Sequence, residues 1–364
     1  MAVALAACSG AAGRDEARGP GGVVIDPATR VARYCHGPRP DRLTRARCGR
    51  ALLASGEARE DAGDVAGAID RYAAIADAAL AAAAAGAAAT VPAGPGVNVD
   101  LVGIDRRALV DEVAAECRFR AGRLAYDAGQ PERAGALLWG LVVLMPDEPR
   151  AGDAVAYLVA RVRGDQPVAL WQRLTALATA LPDRAVTDNL LWWLADLAEH
   201  ELADPAAAQI LYDRLPVDHP RSGMRDDARW RGALLARARG DAAGAVARLR
   251  GLLATREVAR GTGSYFSIWL DDAQLLLATV LRDDLGDRRA AAAAFARLPR
   301  DYPRSILVDD ALIGLADLAL QAGDLPGACR AAARLLAHDP ASRFAARAAA
   351  IAGRSDCPGT GHRR

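Results

Sequence analysis

The feature that most constrains this chain is a turn signal that recurs along it, typically every 35 to 40 residues. Its occurrences are Gly63-Asp64, Gly129-Gln130, Gly164-Asp165, Ala203-Asp204, Gly240-Asp241, Gly286-Asp287 and Gly323-Asp324. Glycine ends a helix readily because it tolerates the left-handed conformation, and aspartate caps the N-terminus of the next helix. The spacing therefore predicts a stack of two-helix units.

Positions counted from each turn predict how the two helices pack. Five residues after the first member stands a small residue: Ala68, Ala134, Ala169, Ala208, Ala245, Ala291 and Ala328. Nine and twelve residues after it stand larger apolar residues, Tyr72, Leu138, Tyr212, Leu249 and Phe295, then Ile75, Leu141, Leu215, Leu252, Leu298 and Leu335. They share one face of the second helix with the alanine and are predicted core.

Prolines and serines predict where each unit ends. Prolines that stop the second helix stand at Pro146, Pro220, Pro303 and Pro340, with Pro182 one residue late. Ser222, Ser305 and Ser342 follow as predicted N-caps of the next first helix.

These residues resemble the tetratricopeptide repeat family over roughly residues 50 to 353. Trp192 falls at the early aromatic position of that family, and Gly56, Gly122, Ala233 and Ala316 fall at its first small position. The resemblance implies an all-α, right-handed α-solenoid of about seven repeats, whose first helices form a concave wall that binds proteins. Arg173 at an expected core position and a spacing of 46 between the fifth and sixth turns depart from the pattern.

Two longer strings resemble the variant repeats of bacterial envelope lipoproteins, such as the outer-membrane assembly lipoprotein D and the cell-division coordinator of the Tol system. They are His-Pro-Arg-Ser at 219–222 and Tyr-Pro-Arg-Ser at 302–305, each followed after three residues by Asp-Asp-Ala. The resemblance implies a scaffold that holds other envelope proteins.

The N-terminus carries a second resemblance to that class. Residues 5–10, Leu-Ala-Ala-Cys-Ser-Gly, resemble a lipobox, which implies lipidation of Cys8. Only seven residues precede Cys8 and none is basic, so we expect the true start upstream or the chain trimmed. The residues after Cys8 lack the aspartate of inner-membrane retention, which favours the periplasmic face of the outer membrane. A soluble cytosolic repeat adaptor is the alternative.

The chain divides accordingly into a signal or lipobox remnant at 1–8, a tether at 9–49 and a first repeat at 50–80. An Ala/Pro/Gly-rich insertion at 81–105 is expected to extend a helix and then cross as a loop. Repeats two to seven with a capping helix occupy 106–353, and 354–364 form a tail.

Cysteine pairing stays open at the level of sequence. In an oxidising periplasm, Cys35 with Cys48 and Cys329 with Cys357 are candidate disulfides at the two ends of the array. Cys48 with Cys117 is a competing pairing, and free thiols are the remaining possibility.

No residue pattern predicts catalysis, a metal or a cofactor. The 46 basic and 45 acidic residues give a net charge of +1, so general electrostatics do not favour nucleic acid. The five histidines are scattered, and the acid–base cluster at 199–201 (Glu-His-Glu) is predicted to be a solvated helix end. The segment 261–265 lacks nucleophile-elbow and phosphate-loop spacing and is predicted to be an inserted loop.

Aromatic residues in the predicted first helices are the candidate partner-binding site, because aromatics bury a large area at low entropic cost. The candidates are Tyr126, Tyr157, Trp193, Trp230 and Trp269, whereas Trp192 is predicted to pack between helices. The expected partners are envelope proteins or peptides.

Overall fold

The structure, a computed structural model, describes residues 42–85, 90–94, 97–100, 109–255, 267–354 and 356–357. In these ranges it contains 15 helices and two short strands. The first three helix pairs are α1 (Arg42–Asp61) with α2 (Val65–Ala85), α3 (Leu109–Asp127) with α4 (Pro131–Leu144), and α5 (Pro149–Val162) with α6 (Pro167–Ala180). The next four are α7 (Thr187–His200) with α8 (Pro205–Asp218), α9 (Arg225–Ala238) with α10 (Ala242–Ala254), α11 (Leu270–Asp283) with α12 (Arg288–Asp301), and α13 (Val308–Gln321) with α14 (Leu325–His338). Helix α15 (Ala345–Ala352) follows.

The chain divides into two compact units, with the boundary inside α7 between Leu190 and Leu191. Within each unit, most helices that are adjacent in sequence pack on one another, as a stack of hairpins requires, and contacts of Tyr212 with Trp192 and Glu199 join α7 to α8. The predicted seven helical hairpins are therefore confirmed. The right-handed sense of the array stays a prediction.

The turns between paired helices have the predicted chemistry. Gly63, Gly129, Gly240, Gly286 and Gly323 all have positive φ, and Ala203 takes the same conformation with φ 51°. The next residue caps the second helix: the carboxylates of Asp64, Asp204, Asp241, Asp287 and Asp324 accept hydrogen bonds from backbone N–H groups two or three residues on.

The predicted core positions are confirmed in six hairpins. Their alanines, Ala68, Ala134, Ala208, Ala245, Ala291 and Ala328, are all 0% exposed, and the larger residues four and seven positions later are buried as well. Close approach of the two helices within a hairpin depends on glycine in the first two hairpins. A Cβ built on Gly56 would lie 2.2 Å from the Tyr72 ring, and one on Gly122 would lie 2.5 Å from Leu138 Cγ.

The third hairpin departs from the prediction. Gly164 is absent from the positive-φ residues, and the N-cap of α6 is Gln166 rather than Asp165. The N-cap lies two residues after Gly164, whereas in the other hairpins it lies one residue after the glycine position, so every position in α6 shifts by one. Ala169 is consequently exposed and Leu170 is buried in its place, at 4%. The same shift puts Leu174 in the core and leaves Arg173 stacked over the Trp139 ring at 4.5 Å.

The serines predicted as helix N-caps have a different role. Helices α9, α13 and α15 begin three residues after Ser222, Ser305 and Ser342, and each serine hydroxyl accepts the backbone N–H two residues on, within the preceding turn. Two of these hydroxyls also donate to the preceding hairpin: Ser305 to Asp271 at 2.6 Å and Ser342 to Asp309 at 2.5 Å. They connect successive repeats.

The insertion was predicted to be a loop, and this prediction was wrong in part. Strands β1 (Thr90–Gly94) and β2 (Val97–Asp100) pair antiparallel, with Val91 opposite Val99 and an irregularity between Pro92 and Gly94. Valines recur at alternate positions on this segment, and β-branched residues favour extended backbone. Apart from these two strands, the regular secondary structure of the described residues is helical.

Cysteine chemistry is partly settled. Cys329 on α14 and Cys357 beyond α15 form a disulfide. The competing pair Cys48–Cys117 does not form, because Cys48 is disulfide-bonded while Cys117 is a buried free thiol whose pKa is raised by burial. Cys8 and Cys35 lie outside the described residues.

Candidate partner-binding surfaces

In the first unit, the first helices α1, α3 and α5 enclose a cavity of about 600 Å³. Glu116 lies at its centre and accepts from Arg120 Nε at 2.6 Å and from Arg150 Nε at 2.5 Å. Burial acts to raise the pKa of the Glu116 carboxyl, but the two guanidiniums outweigh burial and hold that pKa below its ordinary value. Arg120 also donates to Glu57, and Arg150 to Asp153. The charges of Glu116, Arg120 and Arg150 in this cavity are therefore paired with one another or with Glu57 and Asp153.

Beside this cavity lies an aromatic cluster that contains two of the predicted residues. The Tyr157 ring packs edge-on against Tyr126 at 6.0 Å and against Phe119 at 6.3 Å between centroids. The Tyr157 hydroxyl donates to Asp127 at 3.2 Å. Burial raises the pKa of Tyr157, and the Asp127 carboxylate adds to that rise. Both tyrosines stay partly exposed, whereas Phe119 is buried beneath them.

Arginines cover the aromatic faces of this cluster. The Arg161 guanidinium lies 4.1 Å from the Tyr157 centroid and 5.4 Å from that of Tyr126. Arg123 lies 5.9 Å from Phe119 and 6.0 Å from Tyr157. Neither Arg123 nor Arg161 forms an ion pair with a carboxylate in the part of the chain that the structure describes. We call Phe119, Arg123, Tyr126, Tyr157 and Arg161 the aromatic–arginine cluster.

In the second unit, Trp230 and Trp269 are stacked, with centroids 5.2 Å apart and planes 12° from parallel. Trp269 is the N-cap residue of α11 rather than part of a first helix, and its indole Nε1 donates to Asp227. Burial raises the pKa of the Asp227 carboxyl. Both indoles are partly buried and pack against the core of the unit, so only part of each is available to a partner.

Trp193 and Trp192 lie on the neighbouring helix α7, and both are partly buried. Trp192 packs edge-on against the buried Tyr212 at 5.7 Å, in line with its predicted position between helices. The Nε1 of Trp193 is buried and has no hydrogen-bond partner among the described residues. The polar edge of Trp193 therefore points inward, which leaves only the ring face of this candidate to a partner.

The acid–base cluster at the end of α7 is structural. Glu199 accepts from the Tyr212 hydroxyl at 2.9 Å and from Arg231 at 3.2 Å, and Arg231 also contacts the exposed His200 at 2.8 Å. These contacts join α7, α8 and α9. Burial raises the pKa of Tyr212, as expected for a phenol that donates inside a core.

Two searches over the described residues bear on other functions. In the described ranges, which omit 1–41 and 256–266, no group of three histidine, cysteine or acidic side chains is placed to hold a metal ion. Among the helices described, none combines the length and apolar character of a membrane span. The predicted inserted loop at 261–265 lies outside the described residues.

Sequence reasoning found both tyrosines but not their partners. Arg123 precedes Tyr126 by three residues and Arg161 follows Tyr157 by four, and this i, i+3 and i, i+4 spacing was the available signal; Phe119 lies two turns before Tyr126. The serine–aspartate contacts were visible only as the repeated Ser and Asp-Asp-Ala strings.

One segment of the chain matches a known family. Residues 272–305 match the family described as "Tetratricopeptide repeat". No curated protein matches the chain in sequence. Within this stack of helical hairpins, the segment 272–305 is therefore a tetratricopeptide repeat, a kind of repeat that generally binds other proteins.

Solved structures resemble the chain at low identity. The C-terminal part of a TPR repeat-containing protein from Cytophaga hutchinsonii is 12% identical and covers 81% of this chain and 98% of its own, with a TM-score of 0.46. A tetratricopeptide repeat protein from Parabacteroides merdae is 16% identical over 62% and 80%, with a TM-score of 0.35. The Pseudomonas aeruginosa protein pilF is 14% identical over 72% and 95%, with a TM-score of 0.35.

Proposed function

We propose that this chain is a non-catalytic scaffold of the bacterial cell envelope, lipid-anchored through Cys8 at the periplasmic face of the outer membrane. Its first helices present the surfaces that bind other envelope proteins or peptides. The observation that carries the binding role is the aromatic–arginine cluster on α3 and α5, adjacent to a cavity of about 600 Å³.

The cluster has the properties of a binding hot spot. Tyrosine rings are rigid and amphipathic, so they bury apolar area on binding at a small entropic cost. Each guanidinium that stacks on a ring keeps its N–H donors at the edge, where a partner carbonyl or carboxylate reaches them. Arg123 and Arg161 have no carboxylate partner in the described ranges, so their donors are available to a bound protein.

The binding surface is tested by site-specific photo-crosslinking in cells. A photoreactive phenylalanine at Tyr157 or Trp230 should crosslink to a discrete partner that mass spectrometry identifies. The same probe at Ile210, which is 62% exposed on the second helix α8, is the matched control. If the probe at Ile210 crosslinked to the same partner with equal yield, the partner would not bind specifically to the first-helix surface.

Alanine substitution separates binding from packing at the tryptophans. Trp193→Ala or Trp230→Ala should weaken partner capture while the array stays folded. A fall in stability of about 3–5 kcal/mol, the cost of removing a core tryptophan, would identify these residues as core instead.

The anchor is tested at Cys8, which lies outside the described residues. Expressed with its native upstream sequence, the protein should incorporate labelled palmitate, change mobility in globomycin and lose both behaviours in Cys8→Ser. An in-frame stop codon shortly before Met1, or no label on the parent chain, would favour the soluble cytosolic adaptor.

A further inference from the structure

Charge in the last two hairpins is sorted by helix. The first helices α11 and α13 carry six aspartates and one arginine, whereas the second helices α12 and α14 carry six arginines and one aspartate. The net charge of +1 for the whole chain conceals this separation. The second helices therefore present a basic surface in a nearly neutral protein.

A cavity of about 560 Å³ lies between α12 and α14, with α13 as its floor. The floor is apolar and includes Leu315, Leu318 and Ala319. Four arginines line the opening: Arg288 and Arg289 at the start of α12, and Arg330 and Arg334 on α14. All four are exposed. We call this site the α12–α14 groove.

None of these four arginines forms an ion pair with a carboxylate in the ranges that the structure describes. Other arginines nearby do: Arg282 contacts Asp283 at 2.6 Å and Arg297 contacts Asp301 at 3.2 Å. The carboxylate that lines the groove, Asp324, is already engaged as the N-cap of α14, where it accepts the Gly327 N–H at 2.9 Å. The groove thus combines an apolar floor with uncompensated positive charge.

We infer that the α12–α14 groove docks an amphipathic acidic segment of a partner protein. Apolar side chains of the segment contact Leu315 and Ala319, and its carboxylates pair with the arginines, whose planar guanidiniums bind carboxylates in bidentate fashion. A helix laid in a groove between two helices is a common form of peptide recognition. This site lies between second helices and does not depend on the first-helix surfaces.

The recessed floor favours a peptide over an anionic membrane surface. A bilayer would contact the exposed arginines at the opening, but Leu318 lies at the bottom of the groove with only 4% of its surface exposed. Individual apolar side chains of a peptide reach such a floor, and the flat headgroup layer does not.

The test uses the full chain and a labelled helical peptide of about 14 residues, roughly 20 Å long. Leucines recur on one face of the peptide, with glutamates on both flanks, and a second peptide has glutamine in place of every glutamate. The variant Arg330→Glu/Arg334→Glu should weaken the Kd of the acidic peptide by about tenfold or more, and the glutamine peptide should bind the parent as weakly. The affinity should fall as salt rises.

The matched control is Arg250→Glu/Arg297→Glu, which makes the same change of net charge in the neighbouring cavity between α10 and α12. It should change the Kd by less than about twofold, the range expected when only long-range, screened charge is altered. The melting curve of Arg330→Glu/Arg334→Glu should match the parent, since both side chains are exposed, and the control should show only a small loss of stability from the Arg297–Asp301 ion pair.

Three outcomes overturn the inference. Equal losses in the two variants would mean that net charge, not the α12–α14 groove, attracts the peptide. Binding of phosphatidylglycerol vesicles in the absence of peptide binding would assign the arginines to a membrane surface. Loss of peptide binding in Tyr157→Ala/Trp230→Ala would place the peptide on the first-helix surfaces. The same variant separates this inference from the proposed function. The proposed function is tested by the crosslinks from Tyr157 and Trp230, and those can fail while peptide binding at the α12–α14 groove persists.

Discussion

Substituting Gly122 by alanine tests the close helix contact of the second hairpin. Gly122 is buried inside α3, and a Cβ at this position would lie 2.5 Å from Leu138 Cγ and 2.6 Å from its Cδ2. Both distances are far shorter than ordinary carbon–carbon contact. The Leu138 side chain is 0% exposed, so it has no solvent-facing space into which to move.

Two opposing effects set the size of the change. Overpacking a core costs about 1–3 kcal/mol, because side chains leave their preferred rotamers or the backbone shifts. Alanine in a helix interior is favoured over glycine by about 0.5–1 kcal/mol. The clash is with the branch point of Leu138 rather than a flexible side-chain end. We therefore expect Gly122→Ala to lower the free energy of unfolding by about 0.5–2 kcal/mol.

The assay is urea unfolding followed by circular dichroism, with Gly135→Ala as the matched control. Gly135 lies in α4, and a Cβ there would come no closer than 4.0 Å to Trp139, so this variant should gain about 0.5–1 kcal/mol. Leu138→Ala should cost about 2–5 kcal/mol alone, and the double variant with Gly122→Ala should lose less than the sum because the clash disappears. A Gly122→Ala protein as stable as Gly135→Ala would refute the close-contact argument.

Two further predictions concern the alanine positions and the disulfide. Ala245→Leu or Ala328→Leu should lower the free energy of unfolding by about 1–3 kcal/mol through overpacking. Ala169→Leu should change it by no more than about 0.5 kcal/mol, because Ala169 is exposed. Equal melting curves for all three variants would contradict this account of the packing. The Cys329–Cys357 disulfide spans 28 residues, so Cys329→Ser/Cys357→Ser should lower the unfolding free energy by about 3–4 kcal/mol under oxidising conditions. Added reductant should lower the stability of this end of the chain in the parent but not in the variant. A double variant as stable as the parent would show that α15 docks without the disulfide.

The hairpin architecture was predictable because its signals are local. A glycine with positive φ and a capping aspartate act over four or five residues, and the alanine after them is fixed by helical periodicity. The third hairpin shows the limit of such counting: one extra residue between Gly164 and the N-cap moves the cap to Gln166, and Ala169 is then exposed. The extra residue is visible in the sequence as Asp165-Gln166 after Gly164. Which of the two caps α6 is decided by where the helix begins, and the sequence alone does not show that.

The binding surfaces were less predictable, because they depend on which helices lie side by side. Tyr126 and Tyr157 are candidates from their types alone, yet their joint surface with Arg161 needs the contact between α3 and α5. The strands at 90–94 and 97–100 were missed for a similar reason. Their valines and glycine fit a loop or a hairpin, and pairing between the two segments decides between them.

The balance of charge in the last hairpins shows why composition misled the search for partners. Several aspartates there are engaged between successive repeats: Asp271 accepts from Ser305, Asp310 from Arg343, and Asp317 contacts Arg347 at 2.7 Å. Among the described residues, the arginines of the α12–α14 groove form no such contact between repeats. Acidic groups that hold the stack together do not neutralise basic groups on its second helices, because a carboxylate already hydrogen-bonded within the array is poorly placed to attract a distant guanidinium through screened solvent. In a repeat protein, the charge available to a partner is therefore what remains after the contacts between repeats are made.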